Sequence, residues 1–147
     1  MNWKQLSESG RVQPHTTGRH ELDSLRKVID RDLADAQIVE LSADRRFATA
    51  YNAALQSAKM VIACSGFRVA GPSHHETTFM ALRLAMGETI NDFAHYIDSC
   101  RRKRNFVDYD DADIVPEGEA EDILKRTQDF RERVELWIRD RYPDLTR

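Results

Sequence analysis

The residues best equipped for chemistry lie in one short run, SCRRKRNFVDYDD, between Ser99 and Asp111. Four consecutive bases, Arg101, Arg102, Lys103 and Arg104, are followed by Asn105, then by Tyr109 among the acids Asp108, Asp110 and Asp111. A guanidinium offers a planar fork of donors that binds a phosphate or a carboxylate through two bonds at once, and amide and phenol groups add neutral donors and acceptors. This is the equipment for holding an oxyanion. Helical spacing separates the four bases. Ile90, Phe93, Ile97 and Cys100 step by three, four and three residues along one apolar face, and four more reach Arg104. Arg102 and Lys103 point away from that seam as solvated charge, while Arg101 sits at its edge. An unpaired guanidinium in an apolar seam costs on the order of several kcal/mol, so Arg104 must meet a carboxylate, a wet cleft, a partner subunit or an anion. The plain structural reading pairs it with Asp108, Asp110 or Asp111 to pin the loop. The functional reading gives phosphate or RNA contact to Arg101, Arg104 and Asn105.

Acid and base groups are scarcer. Asp108 becomes a base only if it is desolvated. His74 and His75 follow Ser73 at a helix start, where the dipole disfavours their protonation, and adjacent helical residues diverge by about 100°, which denies them a shared metal. Their plain reading is helix-start surface; a tertiary fold that carried either one to Arg104 would supply an acid or base there. His95 lies off the apolar face with Asn91, Asp98 and Arg102 and reads as solvated surface. Cys64 and Cys100 lack metal-ligand spacing and read as reduced, buried thiols. No phosphate-binding glycine loop, nucleophile triad or zinc framework occurs, so neither a metal nor a cofactor is expected.

The elements that must position these groups are helical. Residues 1–17 carry Ser, Gly, Pro and Thr without a period and are expected to form a flexible arm, apart from Trp3 and Leu6. Leu22, Leu25, Ile29, Leu33 and Ala36 predict a first helix from Glu21 to about Gln37. Phe47, Tyr51, Leu55, Ala58 and Ile62 predict a second, its alanines permitting close packing and Gly66 closing it. Ser73 and Glu76 have the spacing of a capping box that opens a third helix, with Phe79, Leu82 and Met86 on its buried side and Gly87 at its end. Thr89 and Asp92 repeat that spacing at the start of the Arg104 helix. Pro116 and the acids Glu117, Glu119 and Glu121 begin a last long helix carrying Ile123, Thr127, Phe130, Val134 and Trp137, ended by Pro143. No alternating strand pattern is found. The expected fold is all-α, an up-and-down antiparallel bundle of about five helices over residues 18–142, with 143–147 as a tail.

Bulk composition agrees with this and narrows the partners. A chain of 147 residues can withdraw roughly two-thirds of its unfolded surface from water around one core. A formal charge of −3, with 41% hydrophobic and 32% charged residues, disfavours wholesale adhesion to nucleic acid or membrane, so phosphate binding must be local. The positive charge is mostly arginine, 17 against 5 lysines. Without a leader pattern or a membrane-length apolar run, a cytoplasmic protein with no membrane partner is expected.

The segments SGFRVAGPSHHETTFMAL, CRRKRNFVDYD and EGEAEDILKRTQDF, in that order, resemble the HEPN superfamily of small helical nucleotide- and RNA-associated proteins, over roughly residues 43–139. The resemblance rests chiefly on the R-N-x-x-x-Y pattern of Arg104, Asn105 and Tyr109. It implies a HEPN-like bundle that binds RNA or a nucleotide, commonly as a homodimer whose paired motifs line one cleft. Many members are metal-independent endoribonucleases acting as toxins of toxin–antitoxin or defence systems; others are non-catalytic. For this chain it implies phosphate contact and charge stabilisation at Arg104, substrate positioning at Asn105, and an antitoxin protein as a partner. Active members place a histidine where this chain has Tyr109, and a phenol near pKa 10 is only about one part in a thousand ionised at neutral pH. The catalytic set under this resemblance is Arg104, Asn105 and Tyr109, with Asp108, His74 or His75 as substitutes in proton transfer. The contrasting expectation is a non-catalytic dimeric interaction module in which the R-N-x-x-x-Y turn is structural.

Overall fold

The computed structural model describes residues 1–109 and 112–147, with only the backbone of Val107, Asp108 and Tyr109. Six α-helices account for most of it: α1 Trp3–Glu8, α2 Arg19–Asp35, α3 Ala43–Cys64, α4 His74–Met86, α5 Asn91–Tyr109 and α6 Glu117–Arg141. The fold is an all-α helical bundle. No described helix is long and apolar enough to cross a membrane.

α3 is the central element and touches α2, α4, α5 and α6. Its sequence explains this position. Ala50, Ala53, Ala54 and Ala58 are fully buried on different sides, and side chains this small let neighbouring backbones come close. Ser42 caps its start by accepting the Arg45 N–H at 3.1 Å, and beyond Cys64 the chain turns through Gly66 at φ +94°. The predicted seam is in place: Ile90, at the end of the 3-10 turn that leads into α5, and Phe93, Ile97 and Cys100 of α5 are all buried, and Phe93 stacks on Phe130 of α6 with centroids 4.2 Å apart. Ile123, Thr127, Phe130 and Val134 form the buried stripe of α6, whose N-cap is Pro116. Both cysteines are free and buried.

The N-terminal segment departs from expectation. Residues 1–17 are not a loose arm, for they contain α1 and a short strand, β1 (Val12–Pro14), paired antiparallel with β2 (Phe67–Val69). Asn2 and Gln5 cap α1 reciprocally, Leu6 and Val12 are fully buried beside Ile62 and Ala81, and Trp3 stacks on Phe67 at 4.6 Å. A six-residue helix and three-residue strands are too short to display a period, so the segment is held by tertiary packing that sequence patterning does not register.

The start of α4 is the second correction. Ser73 and Glu76 form no capping box; Ser73 is left-handed, with φ +60°, and its side chain makes no cap bond. An N-cap hydroxyl reaches the next turn from extended backbone, and this backbone is committed elsewhere. The Ala70 N–H donates to the Arg11 carbonyl at 2.8 Å, and Gly71, at φ +76°, passes so close to Gly10 that an added Cβ would stand 3.2 Å from the Gly10 carbonyl oxygen. The N-terminal segment thereby sets the angle at which the chain enters α4.

Candidate functional site

α4 packs against α5, and its first turn meets α5 near that helix's C-terminal end. Between them is an open cleft of about 220 Å³ lined by Ser73, His74, His75, Glu76, Arg101, Arg104 and Asn105. The structure thus brings five of the sequence-predicted residues together: His74 and His75 from one helix, Arg101, Arg104 and Asn105 from another. The α5 period accounts for Arg104, which continues the seam one turn past buried Cys100 and is partly buried where the apolar face runs out.

His75 is the best-defined group in the cleft. Its Nδ1 lies 2.8 Å from the Tyr51 hydroxyl, and the two rings stack with centroids 5.6 Å apart. Tyr51 projects from α3, is 1% exposed, and meets Phe79 edge-on. The Arg104 guanidinium carbon lies 5.8 Å from the Tyr51 ring centroid, within reach of a cation–π attraction. Burial pushes the Tyr51 pKa well above its ordinary value, so it remains a phenol. Burial also lowers the His75 pKa, and the cations Arg104, Lys59 and Arg101 lower it further. His75 is accordingly held towards its neutral form, with Nδ1 committed to Tyr51 and Nε2 as its remaining ring nitrogen.

Two guanidinium groups and one carboxylate, Glu76, carry the charge in the rest of the cleft. Arg101 Nε donates to Asp98 Oδ1 at 2.9 Å, which fixes that side chain along α5, and Arg104 brings a second guanidinium. The first turn of α4 carries no side-chain cap, so the positive end of its dipole also faces the cleft, with Glu76 of the same turn as the one opposing charge. A phosphate would find donors from two directions and a neutral imidazole beside them.

Other predicted groups lie elsewhere. The side chains of Asp108 and Tyr109, and all of Asp110 and Asp111, are outside the described residues. His95 is exposed and lies 3.2 Å from Arg83 Nη2. Lys103, read as solvated charge, instead pairs with Glu119 of α6. Sequence reasoning missed Tyr51 as a site residue and assigned it to the core stripe. The signal was its hydroxyl, because a tyrosine in an aliphatic stripe needs a hydrogen-bond partner once buried. Among the described residues no cluster of three or more His, Cys, Asp or Glu is arranged to hold a metal ion. No family model, no curated protein and no solved structure matches the chain.

Proposed function

We propose that this protein binds RNA through a backbone phosphate in the α4–α5 cleft and cleaves it without a metal, by attack of a ribose 2′-OH on the adjacent phosphorus. The observation that carries this reading is the convergence of His75 and Arg104, from different helices, on one cleft. His75 takes the role that the resemblance to the HEPN superfamily gives to a histidine in the position of Tyr109. With Nδ1–H donating to the Tyr51 oxygen, Nε2 accepts the 2′-OH proton; with the Tyr51 O–H donating to Nδ1, Nε2–H donates to the phosphate. As the 2′-oxygen bonds to phosphorus, the bond to the 5′-oxygen breaks, and the leaving oxygen takes up the proton that His75 accepted, which returns the imidazole to its neutral form. Arg104 stabilises the added charge on the phosphate oxygens, Asn105 positions them, and Arg101 binds a flanking phosphate. A homodimer and an antitoxin partner belong to the same proposal, on the resemblance alone.

The test is cleavage of labelled single-stranded RNA by the purified full chain in the presence of a chelator. Wild type should yield fragments ending in a 2′,3′-cyclic phosphate. His75→Ala should lower the rate by about 10²- to 10⁴-fold, and Arg104→Ala by at least about 10²-fold, with helical content retained. Cleavage unaffected by both changes would rule this reading out. The second reading, a non-catalytic interaction module, is favoured by Phe106, which is 55% exposed beside Asn105. It predicts no cleavage and a loss of self-association in Arg104→Ala.

A further inference from the structure

The α4–α5 cleft has a neighbour. A cavity of about 290 Å³, at the small end of the range for ligand pockets, lies between the start of α2, the C-terminal half of α3, β2 and the first residue of α4. His74 lines both, so the two lie on either side of one side chain. Lys59, which lines the second cavity, also acts electrostatically on His75 in the first. We propose that this cavity is the subsite for a neighbouring nucleotide of the same RNA strand. The inference rests on the RNA reading above and extends it to a substrate of more than one nucleotide.

The lining suits that occupant. Leu25, Ile62 and Phe67 give an apolar wall for the flat face of a base, and Lys59 and Arg68 stand beside it to meet a phosphate. Arg68 is exposed and held by its bond to Gln13 Oε1 at 2.6 Å across the two-stranded sheet. The one acid, Glu21, does not oppose a phosphate as a bare charge. His15 Nε2 lies 2.9 Å from both of its oxygens and the Thr17 hydroxyl donates to it at 2.7 Å. The carboxylate keeps acceptor capacity beyond these bonds, which suits a base carrying an exocyclic amino group, such as adenine. The wall also explains a use for the ordered N-terminal segment: β1 pairs with β2 and Trp3 backs Phe67 of that strand, so the segment fixes the β2 side of the subsite.

The experiment compares two probes on the full chain by titration calorimetry at one salt concentration: adenosine 3′-phosphate, and an adenosine trinucleotide with 2′-O-methyl groups that block cleavage. Wild type should bind the trinucleotide at least about fivefold more tightly, the gain from one further stacked base. Lys59→Ala and Arg68→Ala should each bring that ratio towards one, whereas Arg104→Ala should weaken both probes. Equal affinity of wild type for the two probes, or a ratio that survives the Lys59→Ala/Arg68→Ala double change, overturns the subsite while the first cleft stands. Wild-type affinity of Arg104→Ala for both probes overturns the RNA reading and the subsite with it.

Discussion

Burial, a cation and a phenol act together on the His75 imidazole. Desolvation is the largest cause of its lowered pKa, and the Arg104 charge comes next. Its ordinary value is 6.5, so at a pH just below that the unfolded chain binds more protons at this position than the folded chain does. The stability contributed by neutral His75 is therefore complete above that value and is lost as pH falls through it towards the lower folded pKa. Arg104→Gln removes the cation while leaving the burial, so the pKa of His75 should rise part of the way towards normal. Titration of the His75 ring protons by NMR checks this without any substrate, and an unmoved midpoint would mean that Arg104 does not reach the imidazole. How this site reads from the sequence follows from the same groups. Arg104 stood out because helical periodicity carries the apolar seam onto it. His74 and His75 stood out by type alone, since only the packing of α4 on α5 brings them to Arg104. Tyr51 was hidden because burial and site membership use the same stripe of α3.

Among the elements, length decided what the sequence could reveal. α2, α3, α5 and α6 each repeat their apolar spacing over several turns, and each was legible. α1, β1 and β2 have no room for a period, yet they govern how α4 begins. Gly71 is where this control is most concentrated. Its φ of +76° strains any other residue, and an added Cβ would also press on the Gly10 carbonyl at 3.2 Å. Gly66 has a similar φ of +94° but open space around its missing Cβ. Gly66→Ala should thus cost only the backbone strain, roughly 1 kcal/mol. Gly71→Ala should cost more and should also displace the first turn of α4, disturbing the His75 titration that Gly66→Ala leaves in place. Urea unfolding and the same NMR titration separate the two outcomes. Equal costs would show that the contact with Gly10 does not constrain the turn.

Across the whole molecule, the chain is net acidic at −3 while the proposed site is basic, which requires acids and bases to be sorted by place. Many of the remaining arginines are spent on acids away from the cleft. Arg26, 1% exposed on α2, donates to Glu135 of α6 at 2.9 Å, to Asp23 at 2.8 Å and to the Leu145 carbonyl at 2.9 Å, joining two helices and the C-terminal residues. Asp30 is drawn in beside it: burial raises its pKa, but Arg131 and Arg147 more than offset this and hold it below the ordinary carboxylate value of 3.8. Stability from Asp30 is therefore present above that value and is lost as pH falls through its lower folded pKa, well apart from the limb set by His75. Removing Arg26 leaves Glu135, only 24% exposed, without its main partner. Breaking one side of a buried pair costs about 3–5 kcal/mol, a large part of the roughly 5–15 kcal/mol that holds a domain of this size. Arg26→Ala should lower the folding free energy by that amount across the neutral range while leaving the midpoint of the His75 limb unchanged, because the clamp and the cleft share no residue. Urea midpoints measured from about pH 4 to pH 8 check both halves: a loss below about 1 kcal/mol would show that Glu135 is rehydrated once Arg26 is gone, and a moved limb would show that clamp and cleft are coupled through α3.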